Sequence, residues 1–234
     1  LAAAPVLLLT PVARWPHLVL AAAAAGGAVL LPVVLADPGH FLGNQVGVAA
    51  TTGPIFHPRQ IWWPLGVPVA PGQLEWAHMG RMAPAWLLPV THPLIVALAL
   101  PLGALWRRGR GPALRPDDAL LLLALLFLLR CALDPWNLAY YHLPFVLALL
   151  AWEVRTGRAL PLVTLAATAA IQLSFAVHGT YGGSEAFLAY MAWVVPMAAW
   201  MGMTVYRPRA SLVGSWPAAP ISVATPSSPS TSPT

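Results

Sequence analysis

The chain has 234 residues, 59% of them hydrophobic and 8% charged, with a formal net charge of +5. A water-facing domain carries roughly 25% charged residues, so the composition excludes an ordinary soluble fold, and the apolar residues come in blocks long enough for lipid. All 12 basic residues are arginine, mostly in short connections between apolar blocks, so membrane topology explains the basic balance and nucleic acid is not expected as a partner.

Residues 1–10 are apolar but shorter than the roughly 20 residues that a membrane helix needs. No basic stretch precedes them as in a signal peptide. They read as the tail of a helix that begins upstream, and the chain as the C-terminal part of a longer protein. About six full apolar spans follow, over 17–36, 85–106, 118–133, 137–152, 159–178 and 185–206. The fold class is therefore all-α, a multi-pass transmembrane helix bundle over residues 1–209. Pro32, Pro89, Pro144 and Pro196 interrupt spans, as membrane bundles tolerate. Asp117 and Asp118 read as a helix N-terminal cap. Cys131 is the single cysteine and lies in an apolar segment, so it offers neither an intrachain disulfide nor a metal cluster. Residues 210–234, rich in Pro, Ser and Thr, read as a disordered tail.

The arginines orient the bundle. Arg14, the group Arg107, Arg108, Arg110 and Arg115, the pair Arg155 and Arg158, and the pair Arg207 and Arg209 fall in alternate connections, and the short loops between them carry none. By the positive-inside rule both ends of the chain are cytoplasmic and the long loop 37–84 is extracytoplasmic, in a plasma-membrane protein. Arg59 and Arg81 lie in that long loop, where the rule has little weight, and Arg81 is expected to be solvated.

With this orientation six of the seven histidines, His40, His57, His78, His92, His142 and His178, fall in the outer half. The outer side also holds Asp37, Arg59, Glu75, Arg81, Arg130 and Asp134, with many tryptophans and tyrosines. Interfacial rings are ordinary at a membrane surface; clustered ionisable residues there are a candidate site. A loop of this length without strong helix or strand pattern is uncommon unless it is functional. Ring faces beside histidine and arginine donors suit a sugar or a lipid headgroup. Arg130 and Asp134 are four apart and can pair on one helix face. That pair reads equally as a structural tie across a short turn or as part of a phosphate site, because an arginine in the outer leaflet needs a partner. No phosphate loop, His-Glu-x-x-His, Cys-x-x-Cys or Gly-x-Ser-x-Gly occurs, and no metal site or cofactor is expected.

Two stretches carry a resemblance. One is His57-Pro58-Arg59-Gln60-Ile61-Trp62-Trp63-Pro64-Leu65. The other runs from Leu129-Arg130-Cys131-Ala132-Leu133-Asp134-Pro135-Trp136-Asn137 through Tyr140-Tyr141-His142-Leu143-Pro144-Phe145 to Ala151-Trp152-Glu153. Here the chain resembles glycosyltransferase family 87, the polyprenol-phosphate-mannose-dependent mannosyltransferase-like membrane proteins of GT-C fold, over most of residues 16–206. The resemblance implies a mannosyltransferase-like enzyme that moves a sugar from a polyprenyl-phosphate donor to a glycan or glycolipid acceptor at the extracytoplasmic face. It also implies that transfer is a metal-independent inverting displacement, with membrane lipid around the site. The base of that fold class lies in the first extracytoplasmic loop, expected N-terminal to this chain, so the catalytic residue stays unassigned and neither Asp37 nor Asp134 takes the role. His57, Arg59, Arg130, Asp134 and His142 are the expected substrate-binding residues, His57, Arg59, Arg130 and His142 lining one outward-facing cavity. A polytopic transporter and a non-catalytic membrane subunit are the alternatives. A transporter would place its polar groups at the bilayer midplane in repeated halves, and no repeat is visible here.

Overall fold

The structure is a computed structural model that describes residues 10–41, 43, 55–68, 81–110, 116–157, 159–176 and 183–207. The expectations for residues 1–9, Glu75, His78, Arg115, Arg158, His178, Arg209 and the tail fall outside the described residues.

The chain is mostly helical. Among the described residues the main helices are α1 (Trp15–Ala36), α2 (Leu88–Arg110), α3 (Pro116–Leu133), α4 (Leu143–Arg155), α5 (Leu162–Ala176) and α6 (Gly183–Tyr206). Three helical stretches are long and apolar enough to cross a membrane: Val12–Ala36, Pro89–Gly109 and Gly183–Tyr206. The apolar blocks at 118–133, 137–152 and 159–178 hold the shorter helices α3, α4 and α5. At 13 residues, α4 rises about 20 Å at 1.5 Å per residue, well under a hydrocarbon core of about 30 Å.

Proline explains much of the segmentation. Pro89 and Pro144 were expected inside spans, yet they stand in the first turns of α2 and α4. Pro16 and Pro116 do the same in α1 and α3. A first-turn proline loses no intrahelical hydrogen bond and its fixed φ is already helical. The fourth block therefore starts late: residues 137–138 are non-helical, Ala139–His142 form a 3-10 turn, and α4 begins at Leu143. Pro32 and Pro196 do lie inside helices, as do Pro93 and Pro101. Gly157, at φ 74°, ends α4 in the left-handed conformation that glycine adopts without strain.

Helix α3 is the axis of the bundle. It packs against α2, α4 and α6, while α5 packs against α4 and α6. Leu121, Leu122, Ala124, Leu125, Leu126 and Leu128 are all buried, so α3 is apolar around its circumference because protein surrounds it. Helix α1 buries no residue, and its apolar surface is suited to lipid.

Part of the long loop is structured. Ile55–Phe56 (β1), Val67–Pro68 (β2) and Arg81–Met82 (β3) form a small antiparallel sheet in the order β1-β3-β2. Arg81 is not solvated as expected: its guanidinium lies 4.8 Å from the Trp63 ring centroid and donates to Trp63 O at 3.2 Å.

Both ends of α5 are closed by buried charges. The Glu153 carboxylate, from α4, accepts the Val163 N–H at 3.1 Å, the Thr164 N–H at 2.7 Å and the Thr164 hydroxyl at 2.7 Å. At the other end Arg59 donates from Nε to Ser174 O at 2.9 Å and from Nη2 to Phe175 O at 3.1 Å. Each charge has the sign that the helix dipole favours. Glu153→Ala leaves buried donors at the start of α5 without their acceptor and should cost about 3 kcal/mol. Glu153→Gln, which keeps one carbonyl oxygen, should cost less. Denaturant unfolding in detergent and hydrogen exchange at Val163 and Thr164 will read this; unchanged exchange there would mean that the cap contributes nothing.

Candidate functional site

The candidate residues lie at the bundle end where α3 and α5 finish and α4 and α6 begin, and they form two layers. The outer layer is a continuous run of contacts. The His57 ring meets Trp136 edge-on at 4.5 Å between centroids. The Trp136 N–H donates to Asp134 Oδ1 at 3.0 Å. Asp134 Oδ2 faces Arg130 Nη2 at 3.4 Å. The Arg130 guanidinium lies 4.9 Å from the centroid of Tyr141, which stacks edge-on with Tyr140 at 4.7 Å. His57, Asp134 and Arg130 are thus brought together, and the i,i+4 pairing read from the sequence is present. The pair is loose and partly wet, with the arginine side chain 33% exposed and the aspartate 6%. An ion pair of this kind contributes about 0–1 kcal/mol and leaves most of the arginine's donors uncommitted.

Arg59 and His142 are in the layer beneath and are buried. Arg59 has two donors on the last carbonyls of α5, and its guanidinium lies 4.4 Å from the Phe175 ring centroid. No carboxylate pairs with it among the described residues. Burial lowers its pKa to about 10, so it stays charged at neutral pH. Asn137 holds the segment by donating from Nδ2 to Arg59 O at 2.7 Å.

His142 has both ring nitrogens engaged. Nδ1 lies 3.3 Å from Ala139 O, and Nε2 lies 2.8 Å from the Tyr190 hydroxyl. A carbonyl only accepts, so the proton sits on Nδ1 and Nε2 accepts from Tyr190. The ring is a fixed wall, packed against Phe175, Tyr190 and Trp193, with no nitrogen turned to a ligand. The expected four-residue cavity lining therefore divides: His57 and Arg130 sit in the partly exposed outer layer, and Arg59 and His142 back it.

Three residues of this end were not singled out from the sequence. Tyr190 fixes His142. Asn137 and Gln60 are fully buried, and Asn137 Oδ1 and Gln60 Nε2 have no hydrogen-bond partner among the described residues, so the layer retains polar capacity that its own contacts do not use. Burial of asparagine and glutamine inside apolar surroundings is not visible in a hydropathy pattern. Of the other histidines, His40 and His92 are exposed.

The loop also closes α3. Ile61 N donates to Ala132 O at 2.8 Å and Trp62 Nε1 to Leu133 O at 2.8 Å. Arg59→Lys should therefore loosen this end, since an ammonium cannot span two carbonyls as the planar fork does. The expected cost is about 2 kcal/mol, with faster exchange confined to the last turn of α5 and unchanged exchange at Val163 and Thr164. Uniform protection in the variant would remove Arg59 from the cap.

Comparison of the chain with protein-family models, with curated proteins and with solved structures found no match.

Proposed function

We propose that this chain belongs to a plasma-membrane glycosyltransferase, mannosyltransferase-like, that takes a sugar from a polyprenyl-phosphate donor at the extracytoplasmic face. Supporting the reading are the resemblance to glycosyltransferase family 87 and the electrostatics of the two-layered end. The observation that carries it is Arg130, part-exposed and loosely held by Asp134, with its guanidinium over the Tyr141 ring. Near lipid, an anion needs charge-assisted donors, and a guanidinium supplies them in a fixed geometry. Trp136, Tyr140 and Tyr141 offer ring faces beside it for a pyranose.

In the displacement the acceptor oxygen bonds to the anomeric carbon as the bond from that carbon to the donor phosphate breaks. Negative charge accumulates on the leaving phosphate, and Arg130 stabilises it there more strongly than in the ground state. The base that takes the acceptor's proton is not assigned to Asp134, whose two oxygens face Trp136 N and Arg130. A transporter fits less well, because the ionisable side chains gather at the two ends of the bundle and not at a midplane path.

Arg130→Ala in the complete protein should lower turnover of the polyprenyl-phosphate sugar by about two to three decades, the usual effect of losing one such donor at 2–4 kcal/mol. Arg130→Lys should recover part of it. Arg155→Ala, which breaks the 2.7 Å bond to Asp117 at the opposite end, is the control and should leave turnover near its starting value. Equal effects at both ends would sink the assignment.

The orientation has its own test. All six helices are read as spans, with the Arg130 end outside and both chain ends in the cytoplasm. With Cys131 replaced by alanine, single cysteines go in at Glu185 and Arg207, exposed residues at opposite ends of α6. An impermeant maleimide on intact cells should label position 185 and spare 207; the reverse pattern would invert the bundle.

A further inference from the structure

The flank of the site carries a second feature. Between the start of α4 and the side of α5 lies a cleft of about 400 Å³, within the roughly 300–1,000 Å³ range of small-molecule sites. Tyr140, Thr168 and Gln172 contribute polar side chains to it, the His142 ring is part of its inner wall, and Leu143 and Ile171 are among its apolar walls. Tyr140 is 67% exposed and Leu143 58% exposed, so the cleft opens sideways, toward what would be lipid, and not into the core.

The geometry points to this cleft as a lateral entry site for an uncharged, hydroxyl-bearing amphiphile, a glycolipid in class. On the transferase reading, on which this identification rests, it is where the acceptor lies. Three observations favour that ligand. Among the described residues no charged side chain lines the cleft, so none of them compensates an anion brought into a low-dielectric flank. The Thr168 hydroxyl gives its proton to Thr164 O at 2.8 Å, so toward the cleft it offers lone pairs, which attract a hydroxyl and repel a phosphate oxygen. Gln172, one helical turn on and on the same face of α5, supplies both a donor and an acceptor. Polyols need that mixture, since each hydroxyl both donates and accepts.

The cleft also adjoins the charged layer. Tyr140, at its mouth, stacks on Tyr141, over which Arg130 lies. An amphiphile entering from the bilayer would bring its hydroxyls beside the ring faces and Arg130, with its chain against the apolar walls. His142, held by Ala139 O and Tyr190, keeps the inner wall still. The two ligands would then be separated by chemistry: a phosphate at the guanidinium and a neutral polyol in the cleft.

The test is binding, read without turnover. The full chain in phosphatidylcholine nanodiscs is photolabelled with a dodecyl glucoside bearing a diazirine in its alkyl chain, and the labelled peptides are mapped. Label should fall on α4 and α5 at the cleft. Competition by dodecyl glucoside should exceed that by dodecyl phosphate about tenfold. Gln172→Leu and Thr168→Val should each cut labelling about five- to tenfold, the effect of one lost hydrogen bond, while Thr168→Ser should retain it. Label on the apolar groove between α5 and α6 near Trp193 and Trp200, equal competition by dodecyl phosphate, or indifference to both polar substitutions would overturn the proposal. Those outcomes are independent of what Arg130→Ala does to sugar transfer, so failure of the cleft and failure of the transferase reading are seen separately.

Discussion

Everything at the candidate site hangs on how α5 is terminated. A helix leaves four N–H groups and four carbonyls unmet at its two ends, and in hydrocarbon no water is at hand to take them. At 15 residues, α5 is about 22 Å long, shorter than a hydrocarbon core of about 30 Å. In a membrane, groups at its ends have to be met by protein. Glu153 meets the first and Arg59 the last, a carboxylate at the positive end of the dipole and a guanidinium at the negative end. The two caps differ in reach. Glu153 stands 10 and 11 residues before the amides it accepts, across one tight turn. Arg59 comes from 115 residues away, so the far end of α5 is complete only when the long loop is docked.

The docked loop is therefore part of the bundle. Residues 57–62 reach the ends of two helices, giving backbone and indole N–H groups to Pro135, Ala132 and Leu133 and the Arg59 fork to Ser174 and Phe175. Each net contribution is about 1 kcal/mol, and more where the donor is charged. Their joint effect is to place His57 against Trp136 and to seat a buried guanidinium on the last carbonyls of α5. Burying the Arg59 guanidinium, which no carboxylate among the described residues pairs, costs desolvation that the two helix-end carbonyls partly offset. Arg59 is thus first a structural cap, and losing it acts on the helix end.

This arrangement assigns different work to residues that looked alike. Arg59 and Arg130 were both candidate phosphate donors, but only Arg130 keeps donors free at a part-exposed surface. His57 and His142 were both candidate ligand contacts, but His142 has a carbonyl on one nitrogen and a tyrosine hydroxyl on the other. Rigid backing of this kind has value for a site, because a contact residue that sits on a fixed layer needs no ordering when the ligand arrives.

The helical segments were readable from the chain because lipid-length apolar blocks are local patterns: residues 17–36 and 185–206 match α1 and α6 closely. The i,i+4 relation of Arg130 and Asp134 was readable for the same reason. Segment ends were less so, since Pro144 starts α4 instead of interrupting it and the stretch before it is drawn aside by Asn137. The roles of Glu153, Tyr190 and Asn137, the burial of Arg59 and the engagement of both His142 nitrogens were decided by tertiary structure alone. Composition and periodicity report which residues face lipid or protein. They do not report which distant carbonyl or hydroxyl takes a given donor, and that choice separates a buried capping arginine from one left part-exposed at the surface.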